Sequence, residues 1–580
     1  MTPRRHHFLI SVLAASLGLS CYSAGDGTDP PSKSFYFPVG VTVSRGGSVM
    51  YVVNSDFDLQ WNGGTVQSYD LELIRRHAVL AIKDPTDPAL PLLRPGVKGE
   101  CPSNPPISQS NGSGFRQPLG ETCAPPVDST VYVRDSVIIG AFATDLQLSQ
   151  SSTRLFMPVR GDASLTWIDV QPDDPNVVPP TDPTASYAPW TLDCGVRVNN
   201  RCDGAHHAGN NPDEPNNTRK IAMPGEPFGM AQSEDGTAIT ITHQNDTKTS
   251  LLSTGLPPCT MVSGNVTCAS GPPATPALQF VVDGLPVGGN GIAAIPHDPL
   301  ASAGTAPPRP AFLQTSRSTA ELDLLRYYSD QGSATQSSLL RPYLVKESTF
   351  GLAASAGGSD SRGIVIDPTP RLACQGSVPP ADPGARPPRS DADVERDMID
   401  CARLPARVFF ANRTPASMLL GEIGEPAAAG DGTYDPDRLV IFGNIPLSVG
   451  PSRLYLAPIV DQDGNYALRV FIVCFDSALL FVYDPEAHAV ENIIHVGGGP
   501  FAMGFDPFSM KDVAMHAHVP QEMPNGQPDL DLKKYRFAYI ASFTNSFMQV
   551  IDLDNSRIDK STFENVVLTL SEPTTPRGSQ

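Results

Sequence analysis

Ten cysteines are the residues of this 580-residue chain whose spacing says most about chemistry. Eight fall into sequence-local pairs: Cys101 with Cys123, Cys194 with Cys202, Cys259 with Cys268, and Cys374 with Cys401. Each pair lies in a segment rich in Pro, Gly, Asn and Asp. None has the C-x-x-C spacing of a zinc or redox site. Short-range pairs in turn-rich segments are expected to be disulfides made in an oxidising compartment. Other pairings stay open, and local pairing is the simplest. Closing loops of roughly 9 to 28 residues in this way would contribute about 2.5–3.5 kcal/mol each. Cys474, in Val470-Phe471-Ile472-Val473-Cys474, reads as an inert thiol in a buried strand.

Other chemistry is sparse. No GxSxG elbow, P-loop, HExxH or dinucleotide fingerprint occurs. Asp461-Gln462-Asp463-Gly464-Asn465 carries oxygen ligands of the calcium type, but it is shorter than a calcium loop and lacks a distal Glu, so a turn is expected. His206-His207 and His516-Ala517-His518 offer two imidazoles each, too few for a metal, and read as solvated loops. No cofactor and no metal are expected.

The N-terminus is built for export. Arg4, Arg5, His6 and His7 precede an apolar run from Phe8 to Ser20, and Cys21 follows. That order is a signal peptide. The run, at about 13 residues, is too short to span a bilayer as a helix. Leu17-Gly18-Leu19-Ser20-Cys21 resembles a bacterial lipobox, departing from it at Gly18. The resemblance implies lipidation of Cys21 and, with Tyr22 rather than Asp next, an outer-membrane address. Residues 22–33 read as a flexible tether.

Along the rest of the chain one two-part pattern recurs seven times. A strand led by Pro or Gly begins near Phe37, Phe142, Pro227, Gly291, Arg362, Gly450 and Pro500. A strand, polar turn and strand follow, from Tyr51, Leu155, Ala238, Ala311, Val408, Val470 and Ala538. Ser233-Glu234-Asp235-Gly236 is a clear hairpin turn between the third repeat's first two strands. Repeats of this kind predict an all-β chain: a single β-propeller of about seven four-stranded blades. Repeat starts are roughly 50 to 105 residues apart, against the 40–45 of a minimal blade. The excess lies near 85–135, 171–218, 255–276 and 375–405, the segments that hold the four cysteine pairs. The blades are therefore expected to carry disulfide-stapled loop insertions.

The PxG-type first strands, the Ser-Glu-Asp-Gly turn, Tyr51-Val52-Val53-Asn54 and endings such as Trp167-Ile168-Asp169 resemble the YVTN-type repeat of lactonase-like bacterial propellers. The resemblance implies the fold and says little of activity. In such a ring the first strands line a channel. Their few charged residues are Asp145, Arg362 and Arg453, expected to form ion pairs at the channel mouth, with anion binding by the two arginines as the alternative. His297, Asp298, Asp367 and Asp506 follow just beyond three of these strands and read as strand-end turn residues.

The propeller is expected over 34–570, with a polar tail at 571–580. The final strand Phe563–Leu570 and the extended Ser34–Pro38 are expected to share one terminal blade and seal the ring. A formal net charge of −20 argues against nucleic acid as a partner. These features together predict a cell-envelope lipoprotein acting as a binding or scaffolding propeller. Its expected partner is an envelope protein or polymer, and it meets the membrane through its anchor alone. The rivals are a lactonase-like hydrolase working at the channel mouth and a glycan-binding protein using aromatics such as Trp61, Tyr187 and Trp190.

Overall fold

The computed structural model describes residues 27–93, 124–173, 189–217, 219–262, 265–302, 309–329, 342–352, 358–384, 386–425, 435–519, 536–557 and 560–572. Cys21, Tyr187 and all but the first two residues of the tail lie outside them.

Seven antiparallel sheets follow one another along the chain, each made of strands in sequence order. Blade 1 is Pro38–Val43, Val49–Asn54, Gly64–Asp70 and Val133–Ile139. Blade 2 is Gln147–Leu148, Arg154–Val159, Ser164–Asp169 and His207–Ala208. Blade 3 is Pro227–Gln232, Ala238–His243, Thr249–Ser253 and Ala277–Val282, and blade 4 is Gly289–Ala294, Ala311–Ser316, Glu321–Tyr328 and Tyr343–Gly351. Blade 5 is Ser359–Asp367, Ala406–Thr414, Ala416–Glu425 and Asp435–Pro446. Blade 6 is Pro451–Val460, Tyr466–Cys474, Leu479–Asp484 and Ala489–His495. Blade 7 is Pro500–Phe505, Phe537–Ser542, Phe547–Asp552 and Val566–Leu570. The predicted seven-bladed propeller is the fold.

Both faces of each blade are covered by its neighbours, which explains the apolar runs of the second strands. Val49–Asn54 is buried at every position. Its side chains alternate between faces: Met50 and Val52 pack with Tyr539 and Met548 of blade 7, while Val49, Tyr51 and Val53 pack with Leu155 and Met157 of blade 2. Fully burying a side chain of this kind is worth about 1.5–3 kcal/mol.

First strands crowd the axis, and this explains their glycines. A β-bulge marks the start of six of them, for instance between Pro38 and Gly40 and between Pro227 and Met230. A Cβ on Gly229 would run into the Asn290 carbonyl of the next blade, and one on Gly291 into the Arg362 carbonyl of the blade after that. The same edges carry a relay of hydroxyls. Thr144 donates to Phe228 O at 2.9 Å, Thr242 to Asn290 O at 2.9 Å and Thr315 to Arg362 O at 2.5 Å.

The insertions all leave from one end of the ring. Those of blades 1, 2 and 3 join third to fourth strands, and that of blade 5 joins first to second. In an antiparallel blade these two connections share a face. The other connections, from second to third strand and from blade to blade, sit on the opposite, short-connection face. Three of the four predicted disulfides are formed: Cys194–Cys202, Cys259–Cys268 and Cys374–Cys401. The fourth, between Cys101 and Cys123 in blade 1's insertion, is not among them: both cysteines lie outside the described residues, which resume at Ala124. The insertions of blades 3 and 5 carry regular structure that a loop reading does not suggest. Cys259–Cys268 ties the two strands of a small hairpin, and Cys374–Cys401 joins the helices Thr369–Ser377 and Asp391–Ala402. The second insertion turns back down the outer wall between blades 1 and 2, where Cys202 N–H donates to Ile138 O at 3.0 Å.

Closure differs from the expected terminal blade. Val566–Leu570 is the fourth strand of blade 7, while Ser34–Phe37 runs into blade 1, with Phe35 stacked on Tyr69. The ring is clasped from outside instead. Pro126–Val127, within blade 1's insertion, adds a parallel fifth strand to blade 7. The helix Leu71–Lys83 of the same insertion sends Arg75 onto Asp506, Nε to Oδ1 at 2.9 Å, with both side chains buried. Asp506 also accepts from Tyr539 Oη at 2.8 Å. A contiguous pair of terminal strands is unnecessary once an insertion covers the last edge.

Candidate functional site: the channel and its two faces

A cavity of about 250 Å³ lies on the axis, lined by first-strand residues of all seven blades. The expected charged residues do meet there in part. Arg453 of blade 6 reaches across to Asp145 of blade 2, Nη1 to Oδ1 at 2.8 Å, and its Nη2 donates to Thr144 O at 2.7 Å. Burial alone would weaken the guanidinium's hold on its proton; Asp145 outweighs that and keeps its pKa above the ordinary value. Tyr455 stands beside it, its hydroxyl pKa raised by burial. Ion pair and tyrosine bridge the channel. Arg362 is not part of this bridge. It pairs with Asp360 at 2.5 Å, and burial, opposed by Asp360, leaves its pKa below normal.

On the short-connection face the mouth has two unlike arcs. Along blades 6, 7, 1 and 2 stand Phe475, Phe501, Phe543, Phe37, Phe57 and Phe142, in a chain of ring contacts with centroids 4.8–6.3 Å apart. Arg453 lies 4.4 Å from the Phe501 ring centroid and so joins this collar to the bridge. The facing arc is ionic: Arg160 with Glu226, Arg317 with Asp360, and Arg413 with Asp476. The collar was not anticipated, though its signal was present. Phe recurs in the first-strand segments, at Phe37, Phe142 and Phe501. The loop that carries Phe57 is tightly held. Asp56 accepts from Trp61 N–H at 3.2 Å, and burial pushes its carboxyl up to about 7.

The insertion face holds a buried ion cluster. His297 faces Asp437 at 2.8 Å and Glu234 at 3.5 Å, and Arg326 pairs with Asp437 and with Glu347. Burial would lower the imidazole's pKa, but hydrogen bonds to Asp437 and Glu234 outweigh it and raise the pKa. The reading of His297 and Asp506 as plain turn residues is therefore corrected, because each is a buried ionic anchor between blades. Asp367 likewise pairs with Arg407 at 2.7 Å, and Asp298 accepts from Gln375 Nε2 at 2.5 Å.

The remaining candidates are local. Asp461 Oδ1 accepts from Asp463 N–H and Asn465 N–H, as in a simple hairpin turn. His206 is bonded to Asp203 and His207 to Asp162, so these histidines are satisfied side chains rather than solvated ones. His516 and His518 are both exposed, with Glu486 3.4 Å from His516 and Asn465 Oδ1 3.3 Å from His518. Trp61 and Trp190 are half-buried, Trp61 edge-on to Tyr36 at 5.8 Å. Cys474 is buried, and burial pushes its thiol up to about 12. Among the described residues no group of three or more His, Cys, Asp or Glu is placed to hold a metal ion, and no helix is long and apolar enough to cross a membrane.

No family model matches the chain, and no curated protein matches it. Several solved structures are similar. Hydrazine synthase of Kuenenia stuttgartiensis has 9% identity and a TM-score of 0.41, over 92% of this chain and 99% of that one. A periplasmic gluconolactonase of Pseudomonas aeruginosa has 11% identity and a TM-score of 0.36, over 80% and 86%. A protein from Lactobacillus plantarum has 9% identity and a TM-score of 0.38, over 80% and 86%. These likenesses are weak, and the propeller stands on the order and pairing of its own strands.

Proposed function

We propose that this chain is an exported propeller, anchored through Cys21, that binds an envelope protein or polymer with its insertion face. One observation carries the reading: every large cysteine-bearing insertion leaves from the same face of the ring. Loops on a rigid scaffold are the usual place for recognition. Here three of the four are stapled by disulfides, and they are also tied down by hydrogen bonds. Asp173, at the start of the second insertion, accepts from Gly46 and Ser48 N–H at 2.9 and 2.8 Å. Arg154 of blade 2 donates to Thr254 O and Ala274 O at the base of the third, at 3.0 and 2.8 Å. Ordering loops in advance lowers the entropy lost on binding. The disulfides also support export to an oxidising compartment.

The rival reading is hydrolysis at the channel mouth. A general base or nucleophile there would have to be free, and Asp145 is bonded to Arg453. The test is to purify the mature domain, measure bound metal by elemental analysis, and assay a panel of lactones and esters with and without Ca²⁺. The binding reading expects no turnover. Stoichiometric metal with turnover lost on chelation would replace it with the enzyme reading.

A further inference from the structure

We infer that the short-connection face, through Phe57 and Leu59, lies on the surface of a phospholipid bilayer and holds the insertion face outward. The inference rests on the reading that Cys21 carries the lipid. The chain enters the fold on this face. Asn62, in the loop between the second and third strands of blade 1, donates its backbone N–H to Thr28 O at 3.0 Å and its amide to Asp29 Oδ1 at 2.8 Å. Gln67 donates to Pro31 O and Ser34 O at 3.3 and 3.2 Å. The chain is thus pinned to the short-connection face from Thr28 onward. Between Cys21 and Gly27 there are six Cα steps, at most about 20 Å when extended. A six-residue strand, itself about 20 Å long, separates this face from the other, and the insertions add to that. A tether of that length leaves no slack to bring the insertion face to the bilayer.

Exposed apolar side chains stand on the short-connection face beside this point of entry, flanked on the outer wall by Val196 and Val198 of the second insertion. Phe57 is 49% exposed and Leu59 60% exposed, on the same loop as Asn62. Asp56 and Leu59 hold φ of +51° and +55°, so the loop displays these side chains in a fixed, unusual backbone shape. Behind them the rings of Phe37, Phe142 and Phe543 are continuous with Phe57. Tyr36 and Trp61 stand at the base, and both residue types favour the membrane–water boundary. A net charge of −20 would weaken attachment to an anionic surface, so the contact is apolar and shallow. A second copy docked on this face would trap both anchors between the two proteins, which so short a tether resists.

The experiment uses the full lipidated chain in phosphatidylcholine vesicles. An environment-sensitive fluorophore is attached to Leu59→Cys, or to Leu300→Cys on the insertion face, and lipids bearing a doxyl quencher are added. The label at 59 is expected to shift to the blue and lose most of its emission, and the label at 300 to do neither. Flotation and the intact mass are read on the same samples. A floating, acylated protein quenched at 300, or at neither site, overturns the orientation and leaves the anchor standing. A protein that fails to float, with unmodified Cys21, overturns both. A dimer of the unlipidated domain that Leu59→Ser disperses would make a second copy the occupant and overturn the bilayer.

Discussion

His297 is the side chain that most changes the reading of the insertion face. It is buried between Glu234 of blade 3 and Asp437 of blade 5, and its pKa is held above 6.5. The native state therefore binds a proton that the unfolded chain gives up first. That stability is fully present below pH 6.5 and fades as the pH rises through the raised value. Thermal melts of the wild type between pH 6 and pH 9 should show this loss. His297→Gln should be less stable at the acid end and show a flatter profile. Parallel profiles for the two proteins would mean that the imidazole is uncharged in the fold. Residues of this kind were only partly legible. Asp145 and Arg453 stood out as charges in apolar strands, and they meet. Arg362 stood out equally, yet its partner, Asp360, lies two residues away. His297 looked like a turn residue because its partners are 63 and 140 positions distant and arrive only when three blades close together.

The blade is the element in which sequence and structure agree best, since a blade's pattern is local. Its second strands are buried along their length because both faces are covered, and its hairpin turns are set by residues such as Ser233, Asp235 and Gly236. What links one blade to the next was not legible. Thr242 and Thr315 look like ordinary strand residues until the next first strand is placed beside them. Thr242→Val and Thr315→Val should each cost about 2 kcal/mol, because each hydroxyl donates to a carbonyl of the next blade and accepts from the Gly229 or Gly291 N–H, and both partners are left unpaired. Gly229→Ala should cost more, about 3 kcal/mol, because the new methyl group meets backbone that cannot move aside. Urea denaturation would rank the three. A Gly229→Ala protein as stable as the wild type would show that the first strands are less crowded than described. The PxG pattern was readable as a repeat marker, but its cause, close approach about the axis, is a property of the ring.

At the scale of the whole molecule, the number of blades and the sites of insertion could be read, but closure could not. The clasp depends on Arg75 and Asp506, 431 residues apart, and on two residues of an insertion pairing with the last strand. No local pattern announces such contacts. Asp506→Asn leaves a buried guanidinium without its counter-charge and should destabilise the fold by about 3–5 kcal/mol in chemical denaturation. A loss under 1 kcal/mol would argue that the ring closes by packing alone. The larger claim is that this closed ring presents one face for recognition. Its most direct test is photocrosslinking in living cells, with p-benzoylphenylalanine at Leu300 or Met515 on the insertion face, and at Val345 or Phe442 on the outer strands. All four are exposed. The account predicts a discrete, reproducible adduct from Leu300 or Met515 and none from Val345 or Phe442. Adducts from the outer strands alone would contradict it.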